Sequence, residues 1–227
     1  MKICILGSGA YGLALASRFI KNNNEVVCYS NNQNEIDGLV STRISDKLPS
    51  YNIDKRLEFT TDIKRAVSNS NLVVIAVPAK FASSVTKELS NYLTKDMHIL
   101  IATKGIENDT CLFLNDVVEK NLNTNKIAVI SGPTFAVDIV KDVPIGLTLA
   151  TLNSSTKELV KKLLVSNITK LRDTADLIGV EVCGAIKNVM AIVSGMLGGM
   201  GVTDSTRALF LTEALNDIKE LIDALGG

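Results

Sequence analysis

Short runs rich in aliphatic and β-branched residues recur along the chain at 2–6, 25–29, 72–77, 98–102, 126–130, 146–150 and 168–171. Between them, apolar positions repeat at helical spacing over 11–21, 79–92, 112–120, 135–140 and 155–165. Runs that stay apolar instead of alternating are strands buried on both faces, and strand–helix alternation puts such strands in a sheet covered by helices on each side. The pattern therefore predicts an α/β fold, doubly wound around a mainly parallel sheet. The polar, irregular stretch 31–59 reads as a helix followed by a long surface loop through Leu48-Pro49.

The pattern changes after residue 171. All four prolines precede position 145, and only helical periodicity follows. This predicts two units, a sheet-containing domain over 1–175 and the start of an all-helical domain over 176–227. The segment 182–200 is apolar almost all round, which predicts a helix buried on every side. It is long enough for a membrane span, but Lys187 near its middle opposes that reading, and no membrane span is expected. The last helix, 206–225, carries Leu211, Leu215, Ile218, Ile222 and Leu225 along one stripe and stops at Gly226-Gly227. Such a stripe needs a partner, so association as a homodimer or with a complementing chain is expected.

Composition narrows the classes. The 227 residues hold 24 Lys+Arg against 24 Asp+Glu, a balance that argues against a nucleic-acid or anionic-membrane partner. The first apolar run is too short for a signal peptide, so a soluble, cytoplasmic protein is expected. Cys4, Cys28, Cys111 and Cys183 are scattered without a Cys-x-x-Cys pair, the pattern of buried thiols and not of a disulfide or zinc framework. The single histidine, His98, opens a strand run, which excludes a triad or a multi-histidine metal site. No metal is expected.

The first strand runs directly into Gly7-Ser8-Gly9-Ala10-Tyr11-Gly12 and a helix. In that context Gly7 makes the tight turn, Gly9 admits a pyrophosphate to the backbone, and Gly12 lets helix and strand pack closely. The helix N-terminus supplies free N–H groups and partial positive charge. This is a Rossmann-type dinucleotide fingerprint, and it calls for NAD or NADP. At the end of the second strand, where an acid selects NAD and an arginine NADP, the chain has Tyr29-Ser30-Asn31-Asn32, which leaves the preference open. Val77-Pro78, Thr103-Lys104-Gly105 and Ser131-Gly132-Pro133-Thr134-Phe135-Ala136 follow later strands and face the same crevice. Lys104 brings a cation to a place already built for anions. Lys187, an ammonium within an apolar helix, is a candidate proton donor to a bound carbonyl.

Together these segments resemble bacterial NAD(P)-dependent glycerol-3-phosphate dehydrogenases. The motifs run in family order: Gly7–Gly12, Leu48-Pro49, Val77-Pro78, Ala102–Gly105, Ser131–Ala136, and Gly179-Val180-Glu181 followed by Gly184-Ala185-Ile186-Lys187-Asn188-Val189. The resemblance implies reversible hydride transfer between NAD(P)H and dihydroxyacetone phosphate, giving sn-glycerol 3-phosphate for glycerophospholipid synthesis. It implies cofactor contacts at Ala10, Tyr11, Asn31, Lys104 and Ala136, beside Gly7, Gly9 and Gly12. Substrate contacts fall at Lys104, Gly132 and Thr134, with Asn188 next to Lys187, the proton donor and acceptor. Family members carry Gly-Leu-Gly-Asp-Leu and Ser-Arg-Asn segments at positions that would lie past Gly227, and Thr-Arg-Gly where this chain has Thr212-Glu213-Ala214. The resemblance thus implies a complete dinucleotide domain and the N-terminal part of a helical one. A non-catalytic dinucleotide-binding remnant or one half of a split enzyme is the alternative, and a hydroxy-acid or sugar-nucleotide dehydrogenase a third.

Overall fold

The computed structural model describes residues 1–49 and 51–227. Among these, eight strands form one sheet: β1 (Lys2–Leu6), β2 (Glu25–Tyr29), β3 (Leu57–Thr60), β4 (Leu72–Ile75), β5 (His98–Ile101), β6 (Ile127–Ser131), β7 (Ile145–Ala150) and β8 (Thr169–Thr174). Helices α1 (Ala10–Lys21), α2 (Gln33–Thr42), α3 (Ile63–Val67), α4 (Ala82–Leu89), α5 (Leu114–Leu122), α6 (Ala136–Val140) and α7 (Ser154–Leu164) lie between strands. Two long helices, α8 (Leu177–Gly199) and α9 (Asp204–Ala224), follow the last strand.

The strand order is β3-β2-β1-β4-β5-β6-β7-β8, parallel throughout except where β6 meets β7. The expected doubly wound, mainly parallel architecture is present. The order reverses at β1, which pairs with β2 on one side and β4 on the other. At such a reversal the connections leave in opposite directions, and a crevice opens at the strands' C-terminal ends.

Successive strand residues feed opposite cores, because side chains alternate across a sheet. Ile3 and Ile5 join Leu13, Phe19 and Ile20 of α1 with Val160 and Leu164 of α7. Cys4 and Leu6 join Ile63 and Val67 of α3, Val85 and Leu89 of α4, and Leu114 and Val118 of α5. His98 opens β5 and shares a 2.8 Å hydrogen bond between Nδ1 and Thr156 Oγ1, fastening α7 to the sheet. Burial, with the Lys126 charge, lowers its pKa, consistent with a structural imidazole.

Several expectations need correction. Among the described residues of 31–59, helix and loop run on both sides of residue 50 as far as residue 56, but Leu48 and Ile53 are buried, and Leu57–Thr60 then pairs with β2 as an edge strand. Cys4 and Cys28 are buried as expected, and burial pushes the Cys28 thiol up to about 12. Cys111 and Cys183 are exposed: Cys111 sits in a turn with φ 56°, and Cys183 lies on the outer side of α8. Helix α8 is not buried on every side. Its first turns, Gly179 to Gly184, pack under the sheet end, and α9 also packs against it, yet Val189, Ile192 and Met196 remain exposed. By length and composition α8 is apolar enough to cross a membrane. The α9 stripe is likewise split. Ala214 is buried, Ile218 and Ile222 are half-buried, and Leu211, Leu215 and Leu225 face outward.

Candidate active site

The crevice at the strand reversal is built from the ends of β1, β4, β5 and β6. The Gly7 amide donates to the Tyr29 carbonyl at 2.9 Å, so the turn leaves β1 while still hydrogen-bonded to β2. Gly7 has φ +120°, and a Cβ there would lie 2.6 Å from the Ala76 carbonyl oxygen. A Cβ on Gly12 would lie 2.3 Å from the Gly7 carbonyl oxygen. Both positions therefore require glycine for packing. Gly9 differs, because a Cβ there would meet nothing within 4 Å. Its bareness opens space at the N-terminus of α1, where unpaired amides suit a pyrophosphate.

Two cavities flank this turn. One, of about 440 Å³, is lined by Gly7, Ser8, Gly9, Tyr29, Ser30 and Asn31, with Glu35, Lys47, Val77, Pro78 and Phe81. The other, of about 370 Å³, is lined by Gly9, Ala10, Tyr11, Val77, Pro78, Thr103 and Lys104. They share Gly9, Ala76, Val77 and Pro78, so together they form one trough across the strand ends. A nicotinamide dinucleotide fits these residues: open backbone for the pyrophosphate lies between a pocket on the β2 side and one leading to Lys104.

Beyond Lys104 the walls become cationic. Thr103 is buried and donates to the Ile75 and Val77 carbonyls at 3.2 and 2.8 Å, fixing the backbone from which Lys104 projects. Lys104 Nζ donates to the Gly132 carbonyl at 3.2 Å and lies 5.6 Å from the Tyr11 ring centre. Gly132 has no room for a Cβ, which would lie 2.7 Å from the Gly146 carbonyl oxygen. Thr134 is buried and its Oγ1 is 3.3 Å from Tyr11 Oη. Burial raises the Tyr11 pKa, against the opposing effect of the Thr134 hydrogen bond.

Helix α8 crosses this wall at Gly184, where a Cβ would be 3.2 Å from Ser131 Oγ and 3.8 Å from Lys104 Cγ. Lys187, three residues farther, lies on the same helical face. Its Nζ sits 5.7 Å from the Phe135 ring centre. It is half-buried, not enclosed as the apolar sequence around it suggested. Burial lowers the Lys104 pKa, and the positive charge of Lys187 lowers it further. Among the described residues neither lysine is salt-bridged to a carboxylate. Two close cations without a counter-charge favour an anionic ligand. Ala136 opens α6 beside this wall, whereas Asn188 is exposed, one step round the helix from Lys187.

The family model described as NAD-dependent glycerol-3-phosphate dehydrogenase N-terminus matches residues 2–157, and the corresponding C-terminus model matches 176–227. The chain belongs to the NAD-dependent glycerol-3-phosphate dehydrogenase family. It is 33% identical over 226 residues to the glycerol-3-phosphate dehydrogenase [NAD(P)+] of Thermoanaerobacter sp. (strain X514), covering all of this chain and 68% of that protein. It is 32% identical to that of Halothermothrix orenii, again over the whole chain and 66% of that protein. Among solved structures, the glycerol-3-phosphate dehydrogenase from Coxiella burnetii superposes with a TM-score of 0.93 at 28% identity, covering all of this chain and 70% of that one.

Near the trough of this glycerol-3-phosphate dehydrogenase family member stand three charged groups to which the sequence assigns no role: Glu181, which it shows only as part of a motif, and Glu35 and Lys47, which it does not single out. Glu35 and Lys47 line the β2-side cavity. Glu181 is buried beside Thr103, Lys104 and Ser131, where its carboxylate accepts from the Asn115 amide at 3.0 Å. Signals existed for both acids. Asn32-x-x-Glu35 has capping-box spacing, and Glu181 is an acid in an otherwise apolar helical run.

Proposed function

We propose that Lys104 and Lys187 hold and protonate the substrate of an NAD(P)-dependent glycerol-3-phosphate dehydrogenase. The reaction of this family is reversible hydride transfer between NAD(P)H and dihydroxyacetone phosphate, giving sn-glycerol 3-phosphate for glycerophospholipid synthesis. The observation that carries the assignment is the pair of cations without carboxylate partners at the mouth of a dinucleotide-sized trough. The nicotinamide, when bound, supplies or accepts the hydride.

The chain's own residues do the rest. Gly7, Gly9, Ala10, Tyr11 and Gly12 form the cofactor turn, with Asn31 on the β2 side and Ala136 at the far wall. Lys104, with Gly132 and Thr134, draws in the phosphorylated ketone. Lys187 Nζ donates a proton to the carbonyl oxygen as it becomes an alkoxide, and removes it in the reverse direction. Asn188 borders this group from the exposed side of α8. The unit boundary falls at 175/176, a placement supported by the end of β8 at Thr174 and the Asp176 cap of α8. The reading includes a cytoplasmic location and pairing of two chains through the outward Leu211, Leu215 and Leu225, supported by their exposure.

The direct test is oxidation of NADH or NADPH with and without dihydroxyacetone phosphate. Oxidation dependent on that ketone is expected. Tight cofactor binding without turnover would transfer the assignment to a non-catalytic dinucleotide-binding protein.

A further inference from the structure

The β2-side cavity contains an ion pair that the reaction does not use. Glu35 stands in the first turn of α2, where Asn32 Oδ1 accepts from the Glu35 amide at 3.2 Å and so fixes its backbone. Its Oε2 accepts from Ser30 Oγ at 3.1 Å, and its Oε1 meets Lys47 Nζ at 2.6 Å. Burial alone pushes this carboxyl up, but Lys47, Ser8 and Ser30 outweigh burial and hold it below the ordinary glutamate range. At neutral pH it is a fixed anion.

The geometry points to Glu35 as the cofactor-specificity residue: it accepts from the adenosine ribose 2′-hydroxyl and makes the chain prefer NAD(H) to NADP(H). This rests on the dinucleotide reading of the trough. The ribose-reading acid of a Rossmann unit stands at the end of the second strand, about 20 residues past the glycine turn. Here that end offers Ser30, Asn31 and Asn32, which are neutral. Glu35 reaches the same wall from α2, with Gly7, Ser8 and Ser30 lining it too. A 2′-phosphate placed there meets an ionised carboxylate. Among the described residues lining this cavity the basic one is Lys47, already paired with that carboxylate, so they offer no uncommitted cation to neutralise a dianion. Lys47 thereby acts as a positioning residue, fixing the orientation of Glu35.

Binding measured without substrate tests this. NADH and NADPH are titrated separately, with nicotinamide fluorescence as the readout, into the wild-type chain and into E35Q, E35R and K47E. In the wild type NADH should bind tighter by about tenfold or more, the scale of one near-surface charge repulsion. E35Q should narrow that ratio and E35R reverse it, while K47E should widen it by adding a second acid. Equal affinities in the wild type, tighter NADPH, or a ratio unmoved by E35Q and E35R would overturn the assignment. Failure of both nucleotides to bind would overturn it together with the dinucleotide reading. Binding without turnover leaves this assignment standing and fails only the dehydrogenase reading.

Discussion

Tyr11 and Thr134 lie 123 positions apart, yet Tyr11 Oη and Thr134 Oγ1 share a hydrogen bond of 3.3 Å. The bond joins the first turn of α1, on the proposed cofactor side, to the segment after β6 on the proposed substrate side. Tyr11 also presents its ring to Lys104. One aromatic side chain thus links the glycine turn, the threonine hydroxyl and a lysine ammonium. In Tyr11→Phe the ring remains and the hydroxyl link is lost. A net hydrogen bond contributes about 1 kcal/mol, so KM for dihydroxyacetone phosphate should rise about fivefold with kcat little changed. Steady-state kinetics check this, and an unchanged KM would show that the link plays no part in holding substrate.

Lys187 is assigned to proton transfer and stands three residues past Gly184, where α8 comes close to Ser131 and the Lys104 stem. Lys187→Ala should therefore lower turnover by about 10²–10⁴-fold, the usual contribution of a positioned general acid or base. NADH affinity, read by fluorescence titration, should stay within about twofold, since the proton donor is not part of the glycine turn. Lys187→Arg keeps the positive charge but remains protonated across the working pH range, so it should restore substrate affinity without restoring turnover. Parallel loss of nucleotide binding in both variants would mark Lys187 as structural.

What could be read from the chain follows from what each pattern encodes. Strand β1 and its glycine turn were legible because an apolar run followed by three glycines at fixed spacing admits few geometries. Edge strand β3 was not, because Leu57-Glu58-Phe59-Thr60 is short and alternating, and follows a polar loop. Its pairing with β2 is a long-range event that local composition does not record. The surroundings of α8 are hidden from the sequence for a related reason. Apolar residues all round a helix report what could be buried, not how many neighbours arrive to cover it. Glu35 is not legible in this role because the usual ribose-reading acid ends the second strand, whereas Glu35 stands in the first turn of the following helix. Lys104 and Lys187 were legible as residue types in unusual settings, but their approach depended on Gly184 letting α8 pack close to Ser131 and the Lys104 stem.

The glycines of the turn separate folding from binding. A Cβ on Gly12 falls 2.3 Å from the Gly7 carbonyl oxygen, against backbone that has no room to move. Gly12→Ala should destabilise the fold by about 1–3 kcal/mol or more, as overpacking does, and lower the thermal midpoint. Gly9→Ala meets no atom within 4 Å and should melt like the wild type. It should still weaken NADH binding by about tenfold, the equivalent of roughly one charge-assisted hydrogen bond, because the methyl group occupies the pyrophosphate's approach. Melting curves and nucleotide titrations on the same two proteins check both halves. A Gly9→Ala variant with full affinity would show that the phosphates lie elsewhere.

Glu181 gives the chain a pH-dependent stability with a definite sign. Burial raises its pKa from 4.5 to about 7, even though the Asn115 and Leu114 backbone groups act in the opposite direction. Between those two pH values the folded chain binds more protons at this site than the unfolded one, so stability falls as pH rises. The loss is complete above about pH 7 and corresponds to about 3 kcal/mol at the usual conversion of pKa shift to free energy. Glu181→Gln keeps a carbonyl oxygen to accept from the Asn115 amide but cannot ionise. Urea unfolding should find the variant close to the wild type near pH 4 and more stable than it at pH 8. Stability curves that run parallel from pH 4 to pH 8 would mean that Glu181 ionises as easily in the folded chain as in the unfolded one. In that case its carboxylate would be stabilised at the N-terminus of α5 well enough to offset its burial.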